Sequence, residues 1–103
     1  MQLDAKTRKA IGKARQALGA TEAILFGSRA RDEAGQDSDV DLCFLFASFN
    51  ENPLELMYQL RRNIHEDCDV ALDILVYEQV FFEARARQTN SFEYMIRTEG
   101  VAV

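Results

Sequence analysis

Ligands for soft metals are almost missing from this chain. Its 103 residues include one histidine, His65, and two cysteines, Cys43 and Cys68, without CxxC spacing. A Cys/His zinc centre takes about four such ligands, so the composition argues against one. Two isolated thiols read as reduced side chains of a cytoplasmic protein rather than as a disulfide framework. Long apolar runs are missing too, and none approaches the ~18 residues that a membrane span requires. The opening stretch, MQLDAKTRKAIGKARQALGA, is charged throughout and lacks the apolar centre of a secretion signal. A basic excess is also lacking. Twelve Lys and Arg stand against 17 Asp and Glu, giving a net charge of −5 and a pI near 4.8. That balance argues against a general nucleic-acid surface. No repeat and no low-complexity segment interrupts the chain.

What is present suits one soluble domain spanning 1–103, with 48% hydrophobic and 28% charged residues. A chain of this length buries roughly two-thirds of its unfolded surface, enough for a single core. The charge is uneven. Lys6, Arg8, Lys9, Lys13 and Arg15 crowd the first predicted helix, while acids gather at 32–41 and 66–73. An acidic surface favours a basic protein partner or a ligand escorted by a metal.

Residues 4–18 read as a helix, with Asp4 as N-cap and Gly19 as its stop. Residues 21–26 (TEAILF) form a short apolar strand, broken by Gly27-Ser28, and SRARDEA reads as a short helix or turn. Asp37-Ser38 precedes a second strand, 39–47. Asn52 and Pro53 open a second helix, in which Glu55 can complete a capping box and Met57, Leu60 and Ile64 form the apolar stripe, with Leu56 beside it. A third strand follows at 69–77, then helices at 78–88 and 91–99, and the terminal VAV can add an edge. Strands alternating with helices predict an α/β (α+β) fold, with a small mixed sheet of three to four strands flanked by helices.

Asp39 and Asp41 open the second strand at i and i+2, so both project from one face. Asp73 stands between Leu72 and Ile74 in the next apolar strand, where Asp is disfavoured. Neighbouring strands lie about 4.8 Å apart, so all three carboxylates can converge on one point. Such charges repel by roughly 3 kcal/mol per pair at an effective dielectric near 20, which calls for a cation. Oxygen-only ligation suits Mg²⁺ or Mn²⁺. Gly27 permits close approach of the backbone to a ligand. Ser28, at the start of a short helix, would offer free N–H groups to phosphate, and Arg29 and Arg31 could add charge. Taken singly, each feature has an ordinary explanation: a solvated turn for Asp39-x-Asp41, an edge-strand acid for Asp73, a surface ion pair for each arginine. Cys43 reads as core although it shares the Asp41 face, and Phe81, Phe82 and Phe92 read as core rather than as a base-stacking platform.

The run GSRARDEAGQDSDVDL resembles the signature of the DNA polymerase beta-like nucleotidyltransferase superfamily. In length the chain resembles its minimal nucleotidyltransferase branch, and Gly27-Ser28-x10-Asp39-x-Asp41 fits the pattern, with Asp73 at the place of the third acid. Asp32 departs from it, since the family often has Gly there. The resemblance implies a palm-like fold, with ATP as substrate and Mg²⁺ (or Mn²⁺) held by Asp39, Asp41 and Asp73. It also implies nucleotide contacts from Gly27, Ser28, Arg29, Arg31 and Ser38. In-line attack at the α-phosphorus would then transfer a nucleoside monophosphate, with Asp73 helping to deprotonate the acceptor hydroxyl. Members of this branch are commonly paired with a helical HEPN toxin. The resemblance therefore implies an antitoxin that forms a hetero-oligomer with its toxin and transfers AMP to it. A non-catalytic antitoxin that masks the toxin, and nucleotidyl transfer to a small hydroxylated molecule such as an aminoglycoside, are the competing expectations. The short chain and acidic surface argue against a template-dependent polymerase.

Overall fold

The computed structural model describes residues 1–35 and 37–103. Helix α1 (Ala5–Leu18) starts where the Asp4 side chain accepts the Thr7 N–H at 2.7 Å. It ends at Gly19, whose φ of 79° only glycine adopts readily. Strands β1 (Glu22–Phe26) and β2 (Val40–Phe46) pair antiparallel, from Glu22 opposite Leu45 to Phe26 opposite Asp41. Helix α2 (Pro53–His65) is capped by Asn52, which accepts the Leu54 N–H, and has Pro53 at its first position. The carboxylate of Glu55 accepts from Gln59 instead of closing a capping box. Strand β3 (Leu72–Glu78) pairs parallel to β2 and runs directly into α3 (Gln79–Ala86). Helix α4 (Phe92–Glu99) and the two-residue β4 (Val101–Ala102) complete the chain, β4 lying antiparallel to β1. The mixed sheet therefore has the order β3-β2-β1-β4, and the terminal edge expected from VAV is formed.

Each face of the sheet is covered by two helices. On one side Ala10, Ile11 and Ala14 of α1 and Leu56, Leu60 and Ile64 of α2 close over Leu25, Leu42, Phe44 and Ile74. On the other, Phe82 of α3 and Ile96 of α4 pack on Ile24, Phe26, Cys43 and Leu45. Burial on both faces explains why β2 reads as an almost unbroken apolar run. The edge position of β3 explains its tolerance of Asp73 and Glu78, both exposed. Among the described residues, no helix is long and apolar enough to cross a membrane.

Polar contacts fix α3 and α4 to the sheet. Arg97 reaches Glu22 of β1 at 3.1 Å and Glu83 of α3 at 2.9 Å, and its guanidinium lies 5.2 Å from the centre of the Phe82 ring. Buried Glu93 accepts the Tyr77 hydroxyl at 2.8 Å and Arg85 Nε at 3.3 Å. Burial pushes the Glu93 carboxyl upward, but the Tyr77 and backbone hydrogen bonds and the Arg85 charge outweigh it and hold the carboxyl below the usual range. A group depressed in the folded state stabilises above its unfolded value, here 4.5, and that contribution fades as pH falls through the folded value. Melting curves from pH 7 to pH 3 should therefore show the gap between the native chain and Glu93→Gln shrinking below about pH 4.5. A gap that is constant over this range would contradict the depressed carboxyl.

Candidate active site

Asp41 is the one residue of β2 that escapes full burial. Its neighbours across the sheet are Phe26 on β1 and Asp73 on β3, so the row Phe26–Asp41–Asp73 crosses three strands. Residues in register on adjacent strands share a face. This face also carries Cys43 and Leu45, which α3 and α4 cover, whereas Asp41 is half-exposed and Asp73 exposed. Asp39 precedes β2 and is exposed. Burial raises the Asp41 carboxyl above its usual range, and the charges of Asp73 and Asp39 push the same way, with Arg31 and Arg29 opposing them. Asp41 thus senses the other two acids, yet among the described residues no three Asp, Glu, His or Cys side chains converge closely enough to grip an ion. The convergence expected from the sequence is thus realised in strand register but not in side-chain position. Mutual repulsion of like charges is sufficient reason for carboxylates to stand apart.

Gly27 follows β1 with a φ of 76°, and a Cβ there would fall on Asp41 Oδ2 and crowd Asp41 Cγ at 3.1 Å. The glycine is required twice over, by the left-handed backbone and by the carboxylate packed against it. The turn after it is tight: the N–H groups of Ala30 and Arg31 both bond to the Gly27 carbonyl, at 3.1 and 3.2 Å, and Glu33 N–H bonds to Ser28 O at 2.8 Å. Residues 28–32 are turn rather than helix, which corrects the expectation that Ser28 opens a short helix. Asp32 is the only non-glycine residue with positive φ, 60°, among those described. This is the position where the family pattern often has glycine. Aspartate tolerates the left-handed region better than most residues.

The two arginines differ. Half-buried Arg29 donates from Nε and Nη2 to the Ser38 carbonyl, at 3.2 and 2.8 Å, and from Nη1 to the Gln2 carbonyl at 3.1 Å. It is a clamp between the two ends of the loop. Gln2 adds a backbone bond to Arg29 O and a side-chain pair with the Ala34 backbone. Exposed Arg31 pairs with Glu33 at 3.0 Å and Glu99 at 3.5 Å. Ser38 Oγ accepts the Gly35 N–H at 2.9 Å, so this hydroxyl closes the turn ahead of β2. Cys43 is buried and its thiol is pushed up to about 12, mainly by burial, so it is inert core. Cys68 is buried, and His65 hydrogen-bonds the Val70 carbonyl at the end of α2. The aromatic expectation needs correction. Phe82 is core, but Phe81 is 58% and Phe92 49% exposed. Phe92 stands edge-on to Phe26, 5.8 Å between ring centres, beside the Asp41 row. Its place there had no sequence signal, because it depends on how α4 docks.

The donor set fits a hard divalent cation by type: oxygen only, two acids in register and a third two residues away. The repulsion felt by Asp41 is what a cation would relieve.

The sequence model of the nucleotidyltransferase domain matches residues 6–98. A crystal structure of a Sulfolobus solfataricus protein provisionally named a nucleotidyltransferase is similar over 99% of this chain and 89% of that one. The TM-score is 0.52 at 18% identity, a likeness of fold. No curated protein matches the sequence.

Urea denaturation separates the roles assigned to these residues. Arg29→Ala should cost about 1.5–3 kcal/mol, the range for hydrogen bonds that involve a charged group, and Arg31→Ala clearly less, because its ion pairs are exposed. Equal losses would contradict the clamp. Gly27→Ala should cost at least ~1–2 kcal/mol from the left-handed backbone alone. An unchanged midpoint would contradict the left-handed backbone at Gly27.

Proposed function

Because the chain belongs to the nucleotidyltransferase-domain family, we propose that it transfers AMP from ATP to a hydroxyl of a partner protein, a helical HEPN toxin that it thereby neutralises. The observation that carries the chemistry is the register of Asp41 with Asp73 against the Gly27 turn. Nucleotidyltransferase domains use nucleoside triphosphates and divalent metals. Asp39, Asp41 and Asp73 are the residues that would hold Mg²⁺ or Mn²⁺, which when bound would neutralise charge on the triphosphate. Gly27 and Ser28 would bring backbone N–H groups to the phosphates, and Arg31 is free to swing from its exposed ion pairs. The contribution of Arg29 and Ser38 is to hold the loop.

In the transfer, the acceptor oxygen bonds to the α-phosphorus and the α–β bridging bond breaks. Pyrophosphate leaves, and the acceptor proton passes to Asp73. Positioning and charge supply most of the acceleration. The face around Asp73 is open, so the acceptor has to bring its own complementary surface, which supports a protein rather than a small molecule.

Incubation with ATP labelled at the α-phosphate, Mg²⁺ and the neighbouring gene's product should label that protein. Asp41→Asn should lower the rate by at least ~10³-fold, a loss of about 4 kcal/mol of transition-state stabilisation. An unlabelled but neutralised partner would leave a non-catalytic antitoxin. Label on aminoglycoside-like acceptors without any protein would favour the small-molecule reading.

A further inference from the structure

Strand β3 is one of the two edge strands of the sheet, opposite the two-residue β4. The Val40 N–H bonds to the Ala71 carbonyl at 2.8 Å, and main-chain groups alternate sides along a parallel strand. The odd-numbered residues of β3 therefore bond toward β2, while the N–H and C=O groups of Leu72, Ile74, Val76 and Glu78 face outward. Arg61 Nη2 reaches the Leu72 carbonyl at 3.4 Å from that side. Among the described residues, no strand pairs with the outward groups of Ile74 and Val76. Exposed edges are ordinarily blunted by charged side chains, lysine above all, by proline or by a bulge. Here the run LDILVYE has no lysine or proline, its charges are confined to Asp73 and Glu78 near its two ends, and its register with β2 is unbroken.

Beside this edge lies a groove of about 430 Å³ lined by Phe49, Val76, Tyr77, Glu78 and Phe81. Its walls stand on opposite faces of the sheet. Phe49 and Val76 belong to the α1/α2 side and Tyr77 to the α3/α4 side. Phe81 stacks on Tyr77, with ring centres 6.2 Å apart. The groove thus wraps around the strand edge, which suits an added strand because its side chains alternate between faces. The same strand carries Asp73. Asp69, Asp73 and Glu78, the charged residues along β3 and its approach, are all acids. A second copy would bring another acidic β3 to this edge, whereas a segment with basic flanks complements it.

Resting on the reading of a protein acceptor, the geometry points to how that acceptor is held: an extended segment of it, with basic flanks, adds as a strand on the outer edge of β3. Its apolar side chains fill the groove between Phe49 and Phe81, and its hydroxyl residue lies opposite Asp73. The register sets a spacing. The residue opposite Tyr77 is four positions from the one opposite Asp73, about 13 Å at 3.3 Å per residue. An acceptor segment therefore carries an aromatic or aliphatic anchor three or four residues from its reactive hydroxyl.

The probe is the peptide Lys-Tyr-Thr-Thr-Val-Phe-Lys, together with its reversed sequence, since the added strand can run either way. Residue-resolved hydrogen exchange is measured on the full chain. One of the two peptides should slow exchange at the Ile74 and Val76 amides by at least ten-fold, and Phe81→Ser should weaken its binding about ten-fold while the chain remains folded by circular dichroism. Exchange unaltered at both amides, or slowed instead at the α1 lysine face, would overturn the proposal. So would protection that rises with protein concentration in the absence of peptide, the sign of a second copy on the edge. Labelled ATP with Mg²⁺ separates the two readings. Edge protection without label on the peptide tyrosine would leave the docking and remove the protein-acceptor chemistry. Label without edge protection would do the reverse.

Discussion

Two carboxylates held opposite each other on parallel strands set the terms for the rest of the molecule. Asp41 and Asp73 are paired by the hydrogen-bonded register of β2 and β3, so their backbones cannot separate without breaking that ladder, and only rotation of the side chains lets the carboxylates stand apart. Burial raises the Asp41 carboxyl, and the charges of Asp73 and Asp39 push it the same way. A fold tolerates such a site only if the surrounding core is secure. The other residues of β2 are all buried, under α1 and α2 on one face of the sheet and α3 and α4 on the other. The stability supplied by this core supports a carboxyl that burial and like charge make unfavourable.

The described residues of the segment between β1 and β2 are tied down at several points. Gly27 has its φ dictated by the turn and its missing side chain dictated by Asp41. Arg29 ties the beginning of the loop to Ser38 at its end and to Gln2. On the other side of the sheet, Arg97 and Glu93 lock α3 and α4 to β1 and β3, which keeps Phe92 beside the Asp41 row and Phe81 at the β3 edge. Pre-organisation of this kind is how a small domain positions charged groups without a large binding cleft.

Much of this was legible in the sequence because the signals were local. Asp4, Gly19, Asn52 and Pro53 mark helix ends by chemistry that acts within one turn. Gly27, Asp39, Asp41 and Asp73 are anomalies against apolar strands and point to the candidate site without any tertiary knowledge. Non-local features were not legible. Nothing in the spelling of Arg29 distinguishes a clamp on two carbonyls from a phosphate ligand, because its partners lie 9 and 27 residues away. Phe81, Phe82 and Phe92 look alike in sequence, yet only Phe82 points into the sheet. The turn at 28–32 has helical composition, but the Gly27 carbonyl takes both nearby N–H groups and Asp32 leaves the helical region.

Paramagnetic Mn²⁺ provides the most direct reading of the central claim, that the acids at the open end of β2 and β3 form one cation site. With ATP present, substoichiometric Mn²⁺ should broaden the amide resonances of Gly27, Asp39, Asp41 and Asp73 first, and Asp41→Asn should abolish the effect at all four together. Broadening centred elsewhere, for instance on Glu66 and Asp67, with Gly27 and Asp41 sharp throughout, would contradict it.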